Sequence, residues 1–166
     1  MSVRAAESAD IAPLAQLWYD AWQDAHAQIV PAELARHRTL ENFRQRLEAG
    51  LPRVRVTGPV GAPSGFCVVK GDELDQIFVA RSARGQGVAA ALIDDAEARI
   101  VAAGFDTGWL ACAIGNARAA RFYEKRGWRR AGNMVARLEI PTGVFDLEVW
   151  RYEKALRVCG KIEQTD

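Results

Sequence analysis

The chain is short of the residues that most enzymes of hydrolytic, metal or disulfide chemistry depend on. It has two histidines, His26 and His37, and neither falls in HExxH or any other metal-ligand spacing. No metal site is expected. Its three cysteines, Cys67, Cys112 and Cys159, are odd in number, widely spaced and without a CxxC pair. That pattern argues for reduced thiols and a cytoplasmic setting, and against a disulfide framework. There is no GxSxG for a serine nucleophile and no Gly-Lys-Ser/Thr for a Walker A loop. No uninterrupted apolar run nears membrane-spanning length, and "MSVRAAESADIAPLAQLW" lacks the apolar core of a signal peptide. An excess of charge is missing too. The 22 Lys and Arg against 21 Asp and Glu leave +1, which gives no global pull toward nucleic acid or a membrane.

Apolar residues, at 49% of 166, are plentiful enough for a substantial core. One domain over 1–166 is expected, with its core at about 2–156 and a peripheral tail at 157–166. Ile11, Leu14, Leu17, Trp18, Ala21 and Trp22 follow helical spacing after a capping Asp10. A second helix is predicted from Pro31 or Ala32 to about Glu48, ended by Gly50. "RVRVT", "GPVGAPSG" and "FCVVK" read as a hairpin, and "ELDQIFV" as a third strand. A helix from about Gly87 to Ala103 follows, in which Asp95 and Arg99 are spaced to pair. "TGWLACAI" is a fourth strand. "NARAARFYEKRG" is a short helix with Asn116 as N-cap. "WRRAGNMVARLEI" and "VFDLEVWRYEKAL" close the chain as two strands. This order predicts an α/β (α+β) fold with a mixed, mostly antiparallel sheet and one parallel crossover between "ELDQIFV" and "TGWLACAI".

The glycines at 85 and 87 stand between a strand and a helix, as an anion-binding loop would have them. Glycine removes the Cβ that would block a ligand from backbone N–H groups, and a helix N-terminus adds partial positive charge. Arg84 adds a full charge. "GQGVAA" also fits a dinucleotide fingerprint. However, five residues, Ala80 to Arg84, separate the strand from Gly85, where that motif takes a tight turn. The loop also follows a hairpin rather than the first strand of a parallel sheet.

"VARSARGQGVAAALIDDAE" followed by "IGNARAARFYEKRGW" resembles the Gcn5-related N-acetyltransferase (GNAT) superfamily. The first segment matches its Arg/Gln-x-x-Gly-x-Gly/Ala loop at Arg84, Gly85, Gln86, Gly87, Val88 and Ala89. The second matches its Asn-x-x-Ala-x-x-Phe-Tyr-x-x-x-Gly element at Asn116, Ala119, Phe122, Tyr123 and Gly127, followed by Trp128. The resemblance is strong from Glu73 to Trp128 and implies acetyl-CoA as co-substrate. The loop would hold the pyrophosphate. The pantetheine arm would lie as an added strand along Ile77, Phe78 and Val79, with Asn116 and Ala119 beside it. The chemistry implied is acetyl transfer to a primary amine by direct attack in a ternary complex. Tyr123 would be the general acid toward the leaving thiolate. Glu73 would be the base, with Asp75 second, unless both are plain charged residues at a strand start. A backbone N–H near Val79 would meet the oxyanion. Phe122 is expected in the core and Tyr123 in the cleft. A homodimer is compatible with the resemblance. A sensor that binds acyl-CoA or a nucleotide without catalysis is the alternative.

Three features need no further function. Arg118, Arg121, Lys125, Arg126, Arg129 and Arg130 form a basic run without the interleaved aromatics of an RNA platform. Attraction of a polyphosphate cofactor, or a solvated helix face, accounts for it. Cys112 is expected to be a buried strand thiol. Trp18, Trp22 and His26 make one helical stripe, which is core by default. In the GNAT superfamily the first two helices roof the acceptor pocket, so the resemblance brings Trp22 and His26 toward the acceptor.

Overall fold

A computed structural model describes residues 2–157; Cys159 and most of the expected peripheral tail lie outside them. Seven strands form one sheet: β1 (Val3–Ala5), β2 (Val54–Thr57), β3 (Gly65–Lys70), β4 (Glu73–Val79), β5 (Thr107–Ala113), β6 (Arg129–Ile140) and β7 (Gly143–Ala155). Their order is β1-β2-β3-β4-β5-β7-β6. Every neighbouring pair is antiparallel except β4 and β5. The helices are α1 (Ile11–His26), α2 (Ala32–Ala35), α3 (Leu40–Gly50), α4 (Val88–Ala102) and α5 (Ala117–Lys125). The mixed, mostly antiparallel sheet and its single parallel crossover agree with the reading of the sequence.

Each face of the sheet has its own core. Leu14, Leu17, Trp18 and Trp22 of α1 and Phe43 and Leu47 of α3 pack on Val54, Val56, Phe66 and Val68. On the other face, Val88, Leu92, Ile93, Ala96 and Ile100 of α4 and Ala120 and Tyr123 of α5 pack on Cys67, Leu74, Leu110 and Tyr152. Burying such a side chain is worth about 1.5–3 kcal/mol, so the periodicity of α1 and α4 is the main local determinant of the layers. Gly65 lets α4 sit close. A Cβ there would lie 2.9 Å from Val88 Cγ1 and 3.0 Å from both Leu92 Cδ1 and the Phe78 carbonyl oxygen.

The structure corrects several local expectations. The predicted second helix is broken between Ala35 and Leu40. Thr39 is extended and its hydroxyl accepts the Asn42 amide at 3.0 Å, an N-cap that restarts the helix as α3. Strand β1 is not legible in the sequence; three residues carry too little periodicity, and pairing with β2 creates it. Asp10 does not cap α1 with its side chain. Its carboxylate instead takes the Arg4 guanidinium at 2.8 and 3.0 Å, the Glu7 amide at 2.8 Å and the Gly61 amide at 2.9 Å. Asp95 does not pair with Arg99. It meets Arg55 of β2 at 3.2 Å, while Arg99 reaches the Arg53 carbonyl at 3.3 Å. Tertiary partners win here because a surface i,i+4 pair is worth only a few tenths of a kcal/mol.

Candidate active site

The site begins where β4 and β5 part. Their parallel pairing has one register pair, Glu73 with Trp109. On its other side β4 pairs with β3 throughout. The Ala80 amide donates to the Ser64 carbonyl at 2.8 Å, which fixes the phase of that ladder. Residues 76, 78 and 80 therefore turn their backbone groups to β3, and Ile77 and Val79 turn theirs toward the gap before β5. A strand whose hydrogen-bonding edge is open in this way can take an extended ligand arm as an extra strand.

A cleft of about 400 Å³ occupies the gap. One wall is Ile77, Phe78 and Val79. One end is the loop of Arg84, Gly85 and Gly87 with Val88 and Ala89 at the start of α4. Gly87 is the residue before α4 and has φ +81°, a left-handed conformation that favours glycine. It offers no side-chain cap, so the first amides of a 15-residue helix face the cleft end unprovided for. Arg84 is held by Asp24 of α1 at 3.7 Å, and Arg118 also lines the cleft. Of the residues expected in this loop, Gln86 alone does not line the cleft. Its amide donates to the Ser82 carbonyl at 3.2 Å.

The opposite wall is the start of α5. The Asn116 side-chain oxygen accepts the Ala119 amide at 3.3 Å, capping the helix. Its amide nitrogen keeps its donors for another partner, since no protein hydrogen bond uses them among the described residues. Phe122 and Tyr123 both line the cleft. The expected division between them is not what the structure has: Tyr123 is the more buried ring, at 8% exposure, and also belongs to the core under β5. Its place against Phe122 (5.6 Å between ring centroids) and Tyr152 (5.9 Å) explains why. Burial raises its phenol pKa well above the usual value, with Cys112 and Tyr152 adding to the shift. Cys112 is a buried strand thiol as expected, and burial pushes it up to about 11.

Glu73 and Asp75 lie in a second, larger groove of about 730 Å³ on the α1 and α3 side of the sheet. Simple alternation would have put them on the face of Ile77 and Val79. The ladder shows why they are not. Val68 pairs with Gln76 but Val69 pairs with Leu74, so Asp75 is an extra residue in β4. This β-bulge re-phases the strand and leaves Glu73, Asp75, Gln76 and Phe78 all lining the groove. Phe78 lines both cavities. Burial, with the nearby Asp75 charge, raises the Glu73 carboxyl to about 7. Lys70 takes up Asp75 at 3.6 Å.

Trp22 and His26 of the helical stripe also line this groove. His26 packs against Trp22 with the rings tilted, 5.2 Å between centroids, and meets Phe78 edge-on at 6.2 Å. Burial lowers its imidazole to about 4, so it is neutral at physiological pH. Two groove residues carried no signal in the sequence: Arg38, nearly fully buried, and Arg46, whose guanidinium lies 4.4 Å over the Trp18 ring.

The comparisons decide the family. The family model described as the acetyltransferase (GNAT) family matches residues 15–128. The chain belongs to this family. Its fold is similar to the GCN5-related N-acetyltransferase from Rhodopseudomonas palustris, with TM-score 0.71 and 22% identity over 93% of this chain and 94% of that one. It is also similar to yncA from Salmonella typhimurium, solved with its cofactor acetyl-CoA, with TM-score 0.67 and 16% identity over 94% of both chains. A third, the paia N-acetyltransferase from Thermoplasma acidophilum in complex with coenzyme A, has TM-score 0.62 and 16% identity, covering 93% of this chain and 98% of that one. No curated protein sequence matches. Among the described residues, no helix of this GNAT protein is long and apolar enough to cross a membrane.

Proposed function

We propose that this GNAT protein transfers the acetyl group of acetyl-CoA to a primary amine by direct attack, with no acyl-enzyme. The observation that carries this reading is the open edge of β4 between an uncapped helix N-terminus and the Tyr123 ring. The residues fit the group. The amides from Gly85 to Ala89, with Arg84 and Arg118, supply what a pyrophosphate needs: donors, positive charge and no obstructing Cβ. The backbone groups of Ile77 and Val79 face where an extended pantetheine arm would lie, and the free amide donors of Asn116 face the same cleft.

Acetyl-CoA, when bound, supplies the acetyl group as an activated thioester. Phe78 lines both cavities, and on this reading an amine in the larger groove passes it to reach the cleft beside β4. Glu73, raised to about 7, is poised to take a proton from the ammonium form of the acceptor, directly or through water. The Val79 N–H, turned toward the gap, is placed to receive the developing oxyanion. Tyr123 acts on the departing sulfur. Its phenol is a weaker acid than a thiol, which titrates near 8.5 (roughly), so it serves chiefly as a hydrogen-bond donor to the thiolate. Ile77, Val79, Val88 and Phe122 give the cleft an apolar lining, and a low local dielectric strengthens that bond.

Calorimetry with acetyl-CoA and with NAD, then thiol release across a panel of amines, tests the reading. Acetyl-CoA binding with amine-dependent thiol release is expected. Binding without release for any amine would favour the sensor alternative.

A further inference from the structure

The larger groove holds two arginines that form no ion pair among the described residues. Arg38 is 4% exposed, and its guanidinium donates to the Glu139 carbonyl at 3.0 Å and to the Asn42 side chain at 3.5 Å. Arg46 makes no protein hydrogen bond, and neither arginine forms an ion pair, among the described residues. A cation as buried as Arg38 is costly without an ionic partner, and Arg46 is half-buried. Burial and the neighbouring Arg38 charge push Arg46 down to about 10, which still leaves it charged at neutral pH. The carboxylates within range of Arg46 are Asp75 and Glu139, and both act on it only from a distance. Asp75 is engaged by Lys70, and Glu139 lies in an exposed strand position.

The groove is thus polarised. Its β4 wall carries Glu73 and Asp75, the latter paired with Lys70, its α3 wall carries Arg46 with Arg38 behind, and Trp22, Phe78 and Trp109 add apolar surface. Glu73 and Arg46 share this cavity without forming an ion pair with each other, which leaves room for a molecule with both signs. From this we propose that the acceptor is an amine that also carries a carboxylate, an aminocarboxylate with an apolar body. Arg46, stacked on Trp18 and so held in place, receives the carboxylate. The amine then points at Glu73 and Phe78. This assignment of the acceptor class rests on the acetyl-transfer reading above, while the anion site itself does not depend on turnover.

The test separates the two. With the full chain, calorimetry compares 3-phenylpropionate with its uncharged amide, 3-phenylpropanamide, in the presence of coenzyme A. The carboxylate should bind at least tenfold more tightly. Arg46→Gln should erase that difference while leaving acetyl-CoA affinity unchanged, which also reports a folded protein. Arg46→Lys, which keeps the charge but loses the planar fork, should keep part of it. Equal binding of the two probes, or a difference that survives Arg46→Gln, would overturn the anion site. In turnover, L-phenylalanine should release thiol faster than phenethylamine, at least tenfold in kcat/KM. The reverse preference would overturn the acceptor class. Absence of thiol release with every amine, alongside intact carboxylate binding, would instead contradict acetyl transfer and the acceptor role, and leave the groove an anion-binding site.

Discussion

Glu73 and Trp109 form the one register pair that joins the parallel strands β4 and β5 among the described residues. Past it the strands diverge, and the cleft is the space they leave. The Trp109 ring also anchors the junction: its indole N–H donates to the Asp72 carboxylate at 3.0 Å, and its backbone amide donates to the Asp72 carbonyl at 3.0 Å. Glu73 therefore sits at the apex of the split, with its side chain in one cavity and its strand forming the wall of the other.

The Tyr123 hydroxyl is assigned to the leaving thiolate, so its removal should act on chemistry rather than on binding. Tyr123→Phe keeps the ring that packs on Phe122 and Tyr152. Its kcat should fall by about 10²-fold or more, with acetyl-CoA affinity within roughly twofold of the parent. Steady-state thiol release and calorimetry read the two quantities. Unchanged turnover on a true substrate would remove Tyr123 from the mechanism.

Glu73 predicts a pH dependence with a definite sign. Its carboxyl is raised to about 7, chiefly by burial. Below that pH it is protonated and cannot accept a proton, so kcat/KM should fall as pH drops through about 7 and level off above it. Glu73→Gln should lower kcat/KM and abolish this limb, leaving the rise set by the acceptor's own amine. A pH–rate profile of both proteins checks this; an unaltered limb in the variant would move the base elsewhere.

Sequence and structure agree best where local chemistry is strong. The glycine loop, Asn116 as cap, the long helices and the crossover were all legible, because capping, periodicity and turn residues act over a few neighbours. The bulge at Asp75 was not, since nothing in "ELDQIFV" distinguishes a six-residue ladder from a seven-residue strand that must lose one. The charge pattern of α3 was equally silent. "LENFRQRLEAG" shows Arg44 and Arg46 alike, yet Arg44 pairs with Glu41 and Glu48 at the surface while Arg46 lies on Trp18 in the groove. Only the position of α3 over β2 and β3 separates them.

Gly87 should be intolerant of a side chain for a reason of backbone and not of packing. A Cβ there would meet no protein atom within 4 Å, but φ +81° is strained for any other residue. Gly87→Ala should cost about 1 kcal/mol in stability and weaken acetyl-CoA binding, because the added methyl stands at the start of α4 where the phosphates are expected. Thermal melts and calorimetry measure the two effects. Full affinity in Gly87→Ala would place the phosphates elsewhere.

Asp10 should be the acid-sensitive support of the N-terminal half. Its carboxylate is fully buried, and the Arg4 hydrogen bonds, foremost, hold its pKa at about 2. A folded pKa below the unfolded value contributes stability above the unfolded value, and that stability is lost as pH falls through about 2. Asp10→Ala strips Arg4 and two backbone amides of their acceptor and should cost about 2–3 kcal/mol at neutral pH. Denaturant melts of parent and variant at neutral and acid pH should converge as the carboxylate protonates; a constant difference would show that packing, not charge, is the source.

The central claim is acetyl transfer in a ternary complex at the split between β4 and β5. Its most direct measurement pairs thiol release with mass spectrometry of acceptor and protein, using acetyl-CoA and an aminocarboxylate such as L-phenylalanine. One N-acetylated acceptor should form for each thiol released, with no acetyl group left on the protein. Thiol release with the acetyl group on a cysteine or another side chain of the protein would contradict direct transfer, and acetyl-CoA binding with no thiol release for any amine would contradict catalysis altogether.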